Sequence, residues 1–520
     1  MTNADIHAAA TPRSRTVDLG NGLIMRWSTK ADTKNVQELV GDSFKWLLFG
    51  KPLEPGVIPG PNEILKAGAR RLLSGVCATM SEFNYALVED TNRKDGKNPI
   101  IACVSIHRIR AYYGSVKLFF GKPELIATDP EYRNRGLVRK LLYEMIHPES
   151  EARGDSLQFI PGIPHFYRQF GYEYAMCSFG ACTIKNTNSL PSLAKGKTEP
   201  FTIRKAIATD IPYLVRVSST PENVSPNTAV GFTYGPEYWQ YTVHDFVQIK
   251  ENEYDMPRDN YIIVDAATGK DVGFVIITHY FGLKMEAIAL DKDAEETPSW
   301  NDVLFPVLRQ VVAEEKASLE AKKSKTTDPE AAKAINTAGF PMILQIHSNH
   351  PATAILGSLA SPPLDKPGFR LMVRINDYPQ FIHTVTPELE KRLAKSPMAG
   401  LSGKLQLDFF RKVEGNKAKG VSIEFKRGKL VEVKDWANQE PEKDVEDYLA
   451  IKARGEEDKI PTLYEASLAP LTFNNLLTGE RSFRDLIWSH GETTYSNDAT
   501  RLLIEILFPK TDQHCDTFFW

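Results

Sequence analysis

The sequence predicts a mixed α/β (α+β) protein of three successive units, and three patterns carry that reading. An extended apolar run, Leu125-Ile-Ala-Thr128, stops at Asp129-Pro130 and enters an Arg-rich turn with one glycine, after which Val138, Leu141, Leu142 and Met145 recur at helical spacing. The strand-then-helix opening at Leu23 to Leu39 repeats from Phe201, where Phe201-Thr-Ile-Arg204 precedes Ala208 to Val215. Near the C-terminus Val421, Ile423 and Phe425 alternate with polar residues, Arg427-Gly428 turns the chain and Leu430 to Val433 return, a hairpin with one buried face. At 520 residues the chain exceeds one hydrophobic core.

Taken in order, residues 1–21 read as a disordered leader and 22–190 as a first domain. Gly22 to Trp27 is a strand, Asp32 to Phe44 a capped helix, and Asn84 to Val88 and Ile100 to Ile109 are strands. Asn186 to Pro200, with Ser, Pro, Gly and Lys, is a linker. A second unit covers 200–372, in which Tyr261 to Val264 and Val272 to Ile277 repeat the later hairpin of the first, yet no Arg-x-x-Gly turn follows its strands. Ala313 to Ala334, dense in Glu and Lys, is a charged helix or surface insertion. A third unit, 373–520, carries the hairpin, Phe473 to Gly479, a helix over Ala499 to Leu507 and a tail ending Phe518-Phe519-Trp520. Extra length is expected in the leader, around Lys51 to Pro61, in Ala313 to Ala334 and in the charged loop Asn438 to Ile460.

Composition narrows the classes. With 63 basic and 66 acidic residues the net charge is −3, so the overall balance asks for neither nucleic acid nor an anionic membrane. Five cysteines, Cys77, Cys103, Cys177, Cys182 and Cys515, show no Cys-x-x-Cys pair, which argues against a disulfide framework or zinc site and for a reducing compartment. Met1 to Val17 has no apolar core for a signal peptide, and no stretch approaches the ~20 apolar residues of a membrane span. A cytoplasmic protein is expected, and a homo-oligomer is compatible with it.

A strand that feeds a helix N-terminus through a basic turn makes an anion site, because the first-turn N–H groups lack partners and guanidinium groups stand beside them. Arg133-Asn-Arg-Gly136-Leu-Val138 resembles the turn by which GNAT-superfamily N-acetyltransferases hold the pyrophosphate of acetyl-CoA, and Phe166-Tyr167 to Gly171-Tyr172 resembles their later Phe-Tyr-x-x-Phe-Gly-Tyr element. Val138 departs from the small residue usual there. Asn134 to Arg139 is similar to the turn of the enhanced intracellular survival (Eis) branch, and the third unit resembles the sterol-carrier-protein-like domain that ends such enzymes.

That resemblance implies tandem acyl-CoA N-acyltransferase folds, the second degenerate, and acetyl-CoA as co-substrate with no metal. It implies CoA contacts at Ile126, Ala127, Thr128, Arg133, Asn134, Arg135, Gly136, Leu137, Val138, Arg139, Gly162 and Ile163. It makes Tyr167 the general acid toward the departing thiolate, a role that suits a phenol with a pKa near ~10. It makes the terminal carboxylate of Trp520 the base that takes the ammonium proton. The alternative for Tyr167 is an aromatic core residue, since Phe166, Phe170 and Tyr172 surround it. His347-Ser-Asn-His350 lacks a third ligand in view, and no nucleophile for an acyl-enzyme is evident. The implied reaction is direct acetyl transfer to a primary amine of a small molecule; the rivals are a protein lysine or N-terminal acetyltransferase and a non-catalytic acyl-CoA or lipid-binding module.

Overall fold

The computed structural model describes the chain apart from residues 1–6, 8, 46–59, 95, 179–180, 227, 253, 256, 280–281, 348, 362–368, 411–418, 437–452, 454–461 and 516–520. The expected extra segments around Lys51 and Asn438 lie almost wholly outside the described residues, as does Trp520. Strands and helices mix along the chain, and among the described residues the strands collect into three sheets of ten, seven and five.

The first sheet holds β1 (Thr16–Gly20), β2 (Leu23–Trp27), β3 (Tyr85–Asp90), β4 (Ile100–Tyr113), β5 (Val116–Thr128), β6 (Leu157–Ile160) and β7 (Glu173–Ser178). Three strands from farther along join it: β8 (Thr228–Phe232), β9 (Phe369–Arg374) and β10 (Asp512–His514). β9 inserts between β6 and β7, and β8 pairs with the far end of β4 and with β10. Part of the expected leader is therefore ordered: β1 pairs antiparallel with β2, Arg13 reaches Glu149 at 2.8 Å, and its guanidinium stacks on Trp27. Val17 and Leu19 pack against the apolar core, which gives this segment enough buried surface to order.

Helices cover both faces. α1 (Thr33–Ser43) and α2 (Glu63–Leu72) bury Val36, Leu39, Val40 and Leu65 against Cys103, Leu125 and Ala127. Asp32 closes the capping box of the 3₁₀ turn Lys30–Asp32 that leads into α1, its carboxylate taking the Thr29 N–H at 2.8 Å and both arms of Arg26. On the opposite face α3 (Leu137–Leu141) runs through a π turn (Leu142–Ile146) into α4 (His147–Ala152). Leu137, Leu141, Leu142, Met145 and Ile146 form its buried stripe.

The second sheet is built from Phe201–Lys205, the antiparallel pair Asp259–Asp265 and Asp271–Thr278, then Leu283–Leu290 and Met342–Gln345. It also takes in Ala181–Ile184, so Cys182 packs there rather than in the strand that follows the tyrosine motif. The charged stretch is a helix, Trp300–Lys325, followed by Pro329–Ala334, with its polar C-terminal half exposed. The third sheet contains the predicted hairpin as Gly420–Lys426 and Lys429–Asp435. Arg427 and Gly428 at its turn both have positive φ, 50° and 78°, the backbone a two-residue hairpin demands.

Candidate active site

β5 carries the site because it is bent. Leu125 has φ of 47° and the register with β4 slips between Cys103 and Ser105, which marks a β-bulge just before Ile126. On its other side β5 pairs with β6 only at Phe120 and Gly121, after which the two strands part. The Asp129 N–H donates to Ile101 O on β4 at 2.8 Å, so strand alternation turns the Thr128 and Ile126 N–H groups the other way, into the splay. Beyond Gly121 no strand pairs with that side of β5 among the described residues, and the two strands open as a wedge.

The wedge ends at the basic turn. Asp129 accepts from the Glu131 N–H at 2.9 Å and from Arg93 at 2.7 Å, and the Tyr132 hydroxyl donates to Asp90 at 2.5 Å. Arg135 lies over the Tyr132 ring at 4.6 Å and donates to Glu131 O at 2.9 Å. Asn134 and Gly136 both take left-handed backbone, φ 61° and 72°, which folds successive N–H groups into one concavity in front of α3. The first helical bond there is from the Lys140 N–H to Gly136 O, leaving the N–H groups of Leu137, Val138 and Arg139 without helical partners. Arg133, Asn134, Arg135 and Arg139 are exposed around this concavity, while Leu137 is buried and Val138 half-buried against the core. A Cβ on Gly136 would meet only open space, so the glycine answers to its φ and to whatever approaches from outside. Beside the turn, Leu19, Asn21, Asp90, Tyr132 and Arg135 line a cavity of about 290 Å³.

Tyr167 sits on a 3₁₀ turn, Phe166–Phe170, at the other side of the wedge. It is 5% exposed and shares one apolar cluster with Leu137, Leu141, Ile160 and Tyr172, with Ile126 and Val138 packed against it. Burial raises its phenol above the ordinary value. Its hydroxyl has no hydrogen-bond partner among the described residues. Arg139 donates to Gln169 Oε1 at 2.8 Å, a bond from the anion turn to the tyrosine turn. A Cβ on Gly162 would stand 2.2 Å from the Tyr167 ring, so this glycine lets the ring close on the loop. Ile163 is 64% exposed at the same loop.

Two features here were not anticipated from the sequence. The Arg139–Gln169 bond has no local signature. The face of β4 and β5 under α1 and α2 buries a polar cluster: Thr79 Oγ1 lies 2.7 Å from His107 Nδ1, and Lys122 Nζ lies 2.8 Å from Glu124. Burial, with Lys122 and Arg153 nearby, lowers the His107 pKa well below its ordinary value. Lys122 and Glu124 flank Pro123 at inward-facing positions of an otherwise apolar strand, which was the available signal. His347 and His350 are buried, and among the described residues no group of three or more His, Cys, Asp or Glu could hold a metal ion.

The bulged strand, its splayed neighbour and the turn at Gly136 lie inside residues 78–175, which match the acetyltransferase (GNAT) domain family. The chain carries a GNAT acetyltransferase domain. The domain is that of an N-acetyltransferase, and the family uses acyl-CoA donors such as acetyl-CoA. The fold around the GNAT domain is similar to that of a protein from Enterococcus faecalis described as a probable N-acyltransferase: TM-score 0.59, 16% identity, 97% of this chain and 100% of the other covered. A GCN5-related N-acetyltransferase from Kribbella flavida gives 0.56 at 15% identity, covering 95% and 98%. Eis1 from Mycobacterium abscessus gives 0.51 at 11% identity, covering 95% and 99%. At such identities these structures establish the fold alone. No curated protein matches the sequence. Among the described residues no helix is long and apolar enough to cross a membrane.

Proposed function

We propose that the protein transfers the acetyl group of acetyl-CoA directly to a primary amine of a small molecule. The observation that carries this reading is the parting of β5 and β6 after Gly121, beside the left-handed turn at Gly136. The pyrophosphate is held by that turn, by Arg135 and by Arg139, where backbone N–H groups and guanidiniums converge. The thioester carbonyl accepts from the β5 backbone, which stabilises the charge that develops on oxygen. The amine nitrogen attacks the carbonyl carbon, the C–S bond breaks, and Tyr167 gives its proton to the sulfur.

The ammonium proton goes to the terminal carboxylate of Trp520 in this reading. Its support is the course of the tail: β10 pairs parallel with β8 inside the first sheet, and Gln513 donates to Ala175 O and Thr478 O and accepts from the Cys177 N–H. Cys515 is buried in the same cluster as Phe120 and Phe159, on the two strands that part to make the wedge. A C-terminal segment woven into the catalytic sheet favours a small acceptor over a protein surface.

The second unit, taken as a degenerate copy, has Leu283–Leu290 leading through Asp291, Asp293, Glu295 and Glu296 to a helix capped by Ser299. An acidic turn repels a pyrophosphate. We place the catalytic domain at 22–190 and a sterol-carrier-like unit at 373–520. Titration with acetyl-CoA alone, followed by thiol release over polyamines, amino acids, aminoglycosides and peptides, tests the assignment. Peptide turnover with none on small amines would overturn the acceptor class, and tight CoA binding with no turnover on any amine would favour a binding module.

A further inference from the structure

Where β7 and β9 of the first sheet meet the helical segment after Leu471, the surface opens into a cavity of about 440 Å³. Arg168, Arg370, Arg481, His490, Tyr174 and Asn475 line it. Arg168 is paired with Glu173 at 2.6 Å and Arg370 with Glu480. Arg481 donates only to Ser489 Oγ, at 3.2 Å, and has no carboxylate on it among the described residues. Three guanidiniums against two carboxylates leave the cavity positive. Burial raises the Glu480 carboxyl above its ordinary value, against the pull of Arg370, Arg481 and Lys510.

The back wall is the second, independent observation. Asn475 is 4% exposed, yet its side-chain amide has no hydrogen-bond partner among the described residues. That amide reaches the cavity wall, so its hydrogen-bonding groups are met there by water or by a bound group. Guanidinium forks and an amide donor around a space of a few hundred Å³ match an oxyanion with several acceptor oxygens. An apolar guest would leave the Asn475 amide and the Arg481 N–H groups beyond the one on Ser489 unmatched.

We propose that this cavity is a binding site for a small oxyanion of charge two or more, carboxylate or phosphate, separate from the acetyl-CoA site. Its walls come from Arg168 of the tyrosine turn, from β7 and β9 and from residues 472–490, so a bound anion clamps the first sheet to the C-terminal part of the chain. Binding to the folded protein alone raises its stability by mass action.

The test uses the full-length protein, with inorganic phosphate and citrate as separate probes and sodium chloride at matched ionic strength as the control. Isothermal titration should give one site for at least one probe, with a matching rise in Tm that chloride does not reproduce; which probe wins identifies the source of the oxyanion. Arg481→Gln and Asn475→Ala should each weaken that site at least tenfold, while Arg481→Lys retains part of the affinity. Arg135→Ala, which alters the turn at Gly136, should leave it unchanged. No saturable binding of either probe overturns the proposal. So does full affinity in Arg481→Gln and Asn475→Ala with wild-type Tm in the absence of probe. Loss of binding in Arg135→Ala would place the anion at the CoA turn and would also overturn it.

Discussion

Replacing Tyr167 by Phe separates a catalytic phenol from a packing ring. The ring is 5% exposed, and its contacts with Phe166, Phe170 and Tyr172 (centroids 5.0 to 6.2 Å apart) involve carbon atoms that the substitution keeps. Its hydroxyl has no partner among the described residues, so no internal hydrogen bond is lost, and stability should move by less than about 1 kcal/mol. Loss of a general acid should cut kcat by ~10²–10⁴, about 3–5 kcal/mol of barrier. Those two figures differ enough for one variant to decide. Thiol release should be followed under single-turnover conditions, with acetyl-CoA affinity by titration and Tm by calorimetry. Near-native turnover with chemistry rate-limiting would leave Tyr167 as core and refute the assignment. The pH profile gives a second check. The acid must be protonated to act, and burial raises its pKa above 10, so Tyr167 contributes no alkaline fall in kcat below about pH 10.

Arg135→Ala and Gly136→Val should each weaken acetyl-CoA binding about tenfold or more, the first by removing a charge-assisted donor and the second by forcing a β-branched residue to φ 72°; unchanged affinity in folded variants would move the site. Gly162→Ala puts a methyl 2.2 Å from the Tyr167 ring and should lower kcat at least tenfold by swinging the ring away, with little further loss in the double variant with Tyr167→Phe; full additivity would separate the two residues. Appending a short Gly-Ser tail after Trp520 should cripple turnover while acetyl-CoA binding persists, whereas an N-terminal tag is harmless; equal rates would transfer the base role to another group. His350 and His514 are pushed down to about 3 by burial, reinforced in both by His347. The unfolded chain therefore binds more protons below about pH 6.5, so the urea midpoint should fall as pH drops from 7 to 4, and less steeply in His514→Phe. A flat midpoint would contradict this.

Local chemistry made much of the site legible. Arg133 to Arg139 supplies charge, a glycine able to take positive φ and a helix start within a few residues, and Phe166 to Tyr172 is equally compact. The hairpin at Arg427-Gly428 was readable because a period of two and a two-residue turn are properties of contiguous sequence. The bulge at Leu125 was not, because no Gly marks it: a leucine at φ 47° is held there by its burial beneath α1 and α2. Gly162 was assigned to CoA on resemblance alone, and only the folded chain brings the Tyr167 ring against it.

Legible in the sequence were the strand, basic turn and helix from Leu125 to Met145, the tyrosine that follows them and the hairpin at Val421 to Val433, since these depend on neighbours a few residues apart. Tertiary structure decided which strand joins which sheet. Phe369–Arg374 enters the first sheet between β6 and β7, Ala181–Ile184 leaves for the second, and Asp512–His514 returns to the first through β8. Each of these strands carries backbone donors and side chains that several edges could accept. The choice rests on long-range packing, such as Leu371 and Val373 meeting Phe120 and Phe159 in one core and Gln513 bonding Ala175 and Cys177. Contacts between residues more than a hundred positions apart leave no periodicity in the chain, and so they are decided only when it folds.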